Sequence, residues 1–187
     1  MNNLELSKIA NEVRKGVIKS THAAKSGHPG GSLSVTDIMT YLYFEEMNVD
    51  PKNPKWADRD RLVLSKGHVA PALYATLAEK GFLPKEDIKT FRKADSYLQG
   101  HPDMKGVTGV DMSTGSLGQG ISAACGMAKA AKLSGKNYRV MLHSAMAKAK
   151  KVRFGRQQCL PLTTSLITLQ FFLILTDCRL TVMLQRL

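Results

Sequence analysis

The chain has 187 residues, 43% hydrophobic, which is enough length for one domain and enough apolar material for a real core. A net charge of +12 invites a nucleic-acid reading, but only 6% of residues are aromatic and no nucleic-acid-binding motif accompanies the charge. Export and membrane insertion are not expected: the N-terminus carries Glu5 and Glu12 instead of a basic-then-apolar leader, and Leu166 to Leu175 is too short for a bilayer and contains Thr168 and Gln170, so a cytoplasmic protein is expected.

In chain order, Leu6, Ile9, Ala10, Val13, Val17 and Ile18 recur at helical spacing with Lys8, Arg14, Lys15 and Lys19 between them, predicting an amphipathic helix that ends near Ala24. The stretch Ser26 to Ser34 then sets His28 between Gly27 and Pro29, with Gly30 and Gly31 behind it. Glycine loosens the backbone and proline removes a donor, so a short backbone-rich loop is predicted, presenting one imidazole where two helices meet. Ser34 can cap a second helix with Asp37 in its first turn and Ile38, Met39, Leu42 and Tyr43 on its apolar face; Asn48 to Pro54 ends it.

Leu62-Val63-Leu64 reads as a strand or a buried extended link that delivers Gly67-His68 at its exit. Ala70 to Lys80 reads as a helix stopped by Gly81, and Pro84 to Ala94 as another with Pro in its first turn. His101 sits in Gly-His-Pro-Asp, the third glycine-preceded histidine in the chain. The turn Ser113 to Gly120 leaves bare main-chain amides before a helix over 121–133, an arrangement that attracts phosphate but is equally common as a tight structural turn. Tyr138-Arg139-Val140 begins what should be a central strand. Cys125, Cys159 and Cys178 have neither metal-ligand nor disulfide spacing and read as buried thiols in a reducing compartment.

Taken in order, the His28 turn, Trp56-Ala57-Asp58-Arg59-Asp60-Arg61 with Leu62-Val63-Leu64-Ser65, Lys66-Gly67-His68, Gly100-His101-Pro102-Asp103 and Ser113 to Gly120 resemble the N-terminal, diphosphate-binding half of transketolase. The resemblance covers nearly all of residues 1–140. It implies an α/β thiamine diphosphate-binding fold, a parallel sheet flanked by helices, and an enzyme that moves a two-carbon ketol unit between sugar phosphates. On it, His28 and His101 face the donor sugar as catalytic residues, His68 reaches the cofactor diphosphate, and Gly115 and Leu117 contact the cofactor through their main chains. It also implies Mg²⁺, an oligomer in the intact enzyme, and a pyrimidine-domain partner to supply the glutamate that activates the cofactor. His22, on the first helix, and His143 receive no role.

Beyond Val140 the pattern departs from the family, which there has a strand ending in Gly-Asp-Gly and later an Asn, the side chains that bind Mg²⁺. Residues 1–140 hold 20 Lys+Arg against 14 Asp+Glu, whereas residues 141–187 hold 7 against 1, and Asp177 is the only acid of that tail. The genetic code offers a cause. Val140 to Lys148 can be encoded GTT ATG CTT CAC TCG GCG ATG GCG AAA, and one T restored after the first codon gives Val-Tyr-Ala-Ser-Leu-Gly-Asp-Gly-Glu, the missing metal motif.

Residues 1–140 therefore read as a diphosphate-binding domain, and residues 141–187 as a basic, apolar tail in a shifted frame. Such a tail has no reason to complete a sheet, so an incomplete fold is expected, with no Mg²⁺ ligands of its own and no activity alone. A noncatalytic interaction remnant of the same fold is the alternative, and a basic nucleic-acid binder a more distant one.

Overall fold

The computed structural model describes residues 1–145, 170–176 and 179–184; Cys159 and Cys178, and much of residues 141–187, lie outside them. The described chain divides into two compact units, one of residues 1–59 and 67–115, the other built on residues 60–66 and the chain from Ser116 onward.

The first unit is helical. Helix α1 (Asn3–Ala24) begins at a capping box in which the Asn2 side chain accepts the Glu5 N–H at 2.8 Å and the Glu5 carboxylate accepts the Asn2 N–H at 3.0 Å. It ends where Lys25 turns left-handed and its N–H reaches the carbonyls of Thr21 and His22. Ala10, Val13 and Val17 form its buried stripe, but Ile18, expected on that stripe, is 49% exposed because it lies one residue beyond the arc that faces the core.

The stretch expected to be a pure loop contains a helical turn, α2 (Pro29–Leu33). Pro29 occupies the first helical position, where its missing N–H costs nothing, and the His28 carbonyl accepts the Ser32 N–H at 3.0 Å. Ser34 closes α2 and does not cap the next helix; Val35 precedes α3 (Thr36–Tyr41), which continues as a wider π turn over Leu42–Glu46 and buries Met39, Leu42 and Tyr43.

A 3-10 turn (Gly67–Val69) leads into α4 (Ala70–Lys80), buried along nearly its whole length and ended by Gly81 as predicted. Helices α1 and α3 pack on it, and Gly16 lets α1 approach until a Cβ there would sit 2.8 Å from Ala75. The predicted helix from Pro84 is shorter and tighter, a 3-10 turn (Lys85–Thr90). It ends because Phe91 leaves helical backbone, with ψ at 126°, and Arg92 takes a left-handed φ of 62°.

In the second unit, the sheet order is β1 (Arg61–Leu64), β2 (Val140–Ala145), β3 (Gln170–Thr176), β4 (Arg179–Leu184). Strands β1 and β2 run parallel, Arg61 opposite Val140 and Leu64 opposite His143, and α5 (Gly120–Leu133) packs on both. This is the expected α/β pattern of parallel strands with a flanking helix.

The tail was expected not to complete the parallel sheet; the strands it contributes run antiparallel, β3 against β2 and β4 against β3. Phe171, Phe172, Ile174, Thr181 and Val182 are residue types that favour extended backbone, and main-chain pairing needs no particular side chain. Cys125, expected buried, is exposed on α5. Among the described residues no helix is long and apolar enough to cross a membrane.

Candidate active site

Four of the five expected site residues come together within the first unit. His28 stands exposed at the N-terminal edge of α2, and its ring meets that of half-buried His68 edge to face, with centroids 5.1 Å apart and planes at 73°. Gly31 lies close by: a Cβ there would crowd Val69 Cγ1 at 3.1 Å and make ordinary contact with the His68 Nε2 at 3.7 Å.

His101, also exposed, lies along the main chain of Gly115, whose own Cβ would be 3.7 Å from the imidazole Cδ2. Gly67 joins these two pairs. A Cβ on it would fall 2.5 Å from the Thr114 carbonyl oxygen and 3.0 Å from the Gly115 nitrogen, so only glycine lets the His68 turn and the Thr114-Gly115 segment close on each other. Leu117 falls in the second unit, half-buried in the turn where the Gln119 N–H donates to the Ser116 carbonyl before α5. His143, given no role, is fully buried in β2.

The His101 loop is fastened by groups that sequence reasoning passed over. The Tyr74 hydroxyl, on α4, lies 3.0 Å from the Gln99 carbonyl and 2.9 Å from that of His101, and donates its proton between them. Burial, reinforced by the Asp103 charge, raises the Tyr74 phenol well above its ordinary value, so it stays a donor throughout the working pH range. On the far side of the loop, the Asp103 carboxylate accepts the Lys105 N–H and the Ser113 hydroxyl, both at 3.1 Å, and these bonds hold its pKa below the usual carboxylate value.

Nothing in the sequence distinguished Tyr74 from the other apolar-face residues of α4. Phe91 and Arg92 were likewise hidden inside a predicted helix. Arg92 spends of the order of 1 kcal/mol on its left-handed backbone.

In the second unit, Ser65 ties the end of β1 to the glycine turn: its carbonyl accepts the Gly118 N–H and its hydroxyl the Gly120 N–H, both at 3.0 Å. These two amides are therefore engaged within the protein, and the phosphate attraction predicted for the turn is reduced to what its other amides provide. Lys66 beside it is buried, and burial brings its ammonium down to about 8.

Three imidazoles and an uncovered glycine backbone make a polar donor set that fits an anionic, hydroxyl-bearing ligand. A hard divalent cation does not fit. Among the described residues no cluster of three His, Cys, Asp or Glu could hold a metal, and the sequence has no Asp or Glu between Asp111 and Asp177.

A family profile described as "Transketolase, thiamine diphosphate binding domain" matches residues 6–155. The match continues past Val140, where the resemblance was expected to stop; Val140, Met141 and Leu142 keep the fully buried character of a central strand. The 6-deoxy-6-sulfo-D-fructose transketolase subunit SqwG of Clostridium sp. (strain MSTE9) is 49% identical over 130 residues, 70% of this chain and 47% of that protein. An apulose-4-phosphate transketolase subunit of Phocaeicola vulgatus is 45% identical over 126 residues, 67% of this chain and 44% of that protein. Among solved structures, transketolase from Campylobacter jejuni superposes with a TM-score of 0.68 at 42% identity, covering 72% of this chain and 21% of that one. The match thus spans just under half the length of the two subunits and about a fifth of the solved enzyme.

Proposed function

We propose that this chain, which belongs to the transketolase thiamine diphosphate-binding domain family, is the N-terminal section of an enzyme that transfers a two-carbon ketol unit between sugar phosphates. The observation that carries this reading is the gathering of His28, His68, His101 and Gly115 in one unit, joined through the close approach of Gly67 to Thr114. Thiamine diphosphate, when bound, supplies a nucleophilic carbon and an electron sink for breaking a carbon–carbon bond. His28 and His101, both exposed, hold the donor hydroxyls and move protons as the carbonyl is made and unmade, a task suited to imidazole near neutral pH. His68 faces the diphosphate, with the main chain of Gly115 as a further contact.

Two of the similar proteins are named as subunits, which supports a partnership between this chain and a separate pyrimidine-domain chain. The absence of any carboxylate between Asp111 and Asp177 supports the further reading that residues 141–187 follow a shifted frame, leaving this chain without its metal anchor and inactive alone. The same absence favours, as a second reading, a noncatalytic remnant that keeps only the partner interaction.

The test is a ketol-transfer assay on a chain with the frame restored after Val140, supplied with a pyrimidine-domain partner, Mg²⁺, thiamine diphosphate, a ketose phosphate and an aldose phosphate. Transfer is expected with the restored chain, falling by roughly 10²-fold in His28→Ala and in His101→Ala. The chain as it stands is expected to give none. A restored chain with no transfer would remove the enzymatic reading and leave the interaction remnant.

A further inference from the structure

The two exposed imidazoles stand on separate segments, and one side chain touches a residue just before each of them. The Arg92 Nη1 donates to the Ser26 hydroxyl at 2.8 Å, two residues before His28. The same guanidinium lies against Gly100, one residue before His101; a Cβ there would be 2.9 Å from its Nε and 3.1 Å from its Cζ and Nη2.

The backbone of Arg92 serves the same geometry. Its left-handed turn ends the 3-10 segment, and its N–H donates to the Leu98 carbonyl at 2.9 Å, closing a turn over 92–98 that ends three residues before His101. Its neighbour Phe91 is buried edge to face against Tyr74, ring centroids 6.2 Å apart, and a Cβ on Gly27 would be 3.4 Å from the Phe91 ring. The corner Phe91-Arg92 thus reaches the His28 loop through Ser26 and Gly27 and the His101 loop through Leu98, Gly100 and Tyr74.

We infer that Arg92 is a positioning residue that fixes the spacing of His28 and His101 by bracing both loops with one planar guanidinium. The inference rests on the proposed function only for the use made of the two imidazoles. Arginine suits the place because a flat, multi-donor group can lie against backbone and donate sideways at once, whereas a lysine offers one point charge on a flexible stem.

The test follows the imidazole Cε1–H signals of the full chain by NMR, with buried His143 of β2 as the reporter of an intact fold. Arg92→Ala is expected to displace the signals of both His28 and His101 and to leave His143 in place; Arg92→Lys restores His28 but not His101. Gly100→Ala, which pushes a methyl onto the guanidinium, is expected to displace His28 as well as His101, and to lose its effect on His28 when combined with Arg92→Ala.

Ser26→Ala, a small change at an exposed position, keeps the inference testable if the other variants unfold. It is expected to displace His101 through Arg92, and a spectrum in which His101 stays in place overturns the inference. So does a folded Gly100→Ala that moves His101 alone. No cofactor or sugar is present in these spectra, so a failure to bind thiamine diphosphate does not alter what they show about Arg92.

Discussion

The carbonyl oxygen of Thr114 occupies the space where a side chain on Gly67 would begin, 2.5 Å from the position of a Cβ. Gly67 is next to His68 and Thr114 is next to Gly115, so this contact is what brings the histidine pair and the glycine backbone into one place. Gly67→Ala must push the two segments apart. A loss of about 2 kcal/mol is expected, read as a lowered urea midpoint with an unchanged slope.

Asp60 performs a comparable task in the second unit. Its buried carboxylate accepts the Arg139 backbone N–H at 2.7 Å and the Arg139 side chain at 2.7 Å from Nη2 and 3.2 Å from Nε, fastening the entry of β2 beside that of β1. Asp60→Ala leaves a backbone donor and a half-covered guanidinium without their acceptor. The expected cost is about 2 kcal/mol, measured by urea denaturation, with Asp60→Asn recovering part of it through the backbone bond.

Tyr74→Phe keeps the packing of α4 and removes only the hydroxyl that reaches the Gln99 and His101 carbonyls. A cost of about 1 kcal/mol is expected, together with faster amide exchange across residues 99–101. Unchanged exchange there would mean that the loop is held by the Asp103 side alone.

Lys66 gives a pH dependence. Burial lowers its folded pKa to about 8 from an ordinary 10.5, so between these values the unfolded chain holds a proton that the folded chain has released. Stability contributed by this residue therefore rises with pH through that window, by an amount of order 3 kcal/mol. Subtracting the unfolding free energies of Lys66→Met from those of the parent at pH 7, 8.5 and 10 isolates the effect from the tyrosines. The difference, parent minus Lys66→Met, should rise with pH across that window.

Much of this arrangement was legible in the residues. The three glycine-preceded histidines lie at element edges, and α1 follows its apolar spacing because burial sets that spacing directly; α4, α5 and β2 lie where Gly81, the glycine turn before 121 and Val140 placed them. The misses share a physical cause. In α2, Gly30 and Gly31 argued against a helix, yet proline at the first position and one His28 carbonyl bond suffice for a single turn. From Pro84 onward, composition favoured a helix, but the long-range contacts of Arg92 with Ser26 and Gly100 require a left-handed residue that local preference disfavours. Strands β3 and β4 pair through main-chain bonds, which the tail's lack of a steady apolar period did not announce.

The most direct measurement is calorimetric titration of thiamine diphosphate into the chain with and without Mg²⁺, alongside a chain that carries the proposed restored frame after Val140. Mg²⁺ is expected to tighten binding to the restored chain and to leave the present one unaffected, because no carboxylate lies between Asp111 and Asp177 to hold it. Tight, Mg²⁺-dependent binding by the present chain would contradict the account.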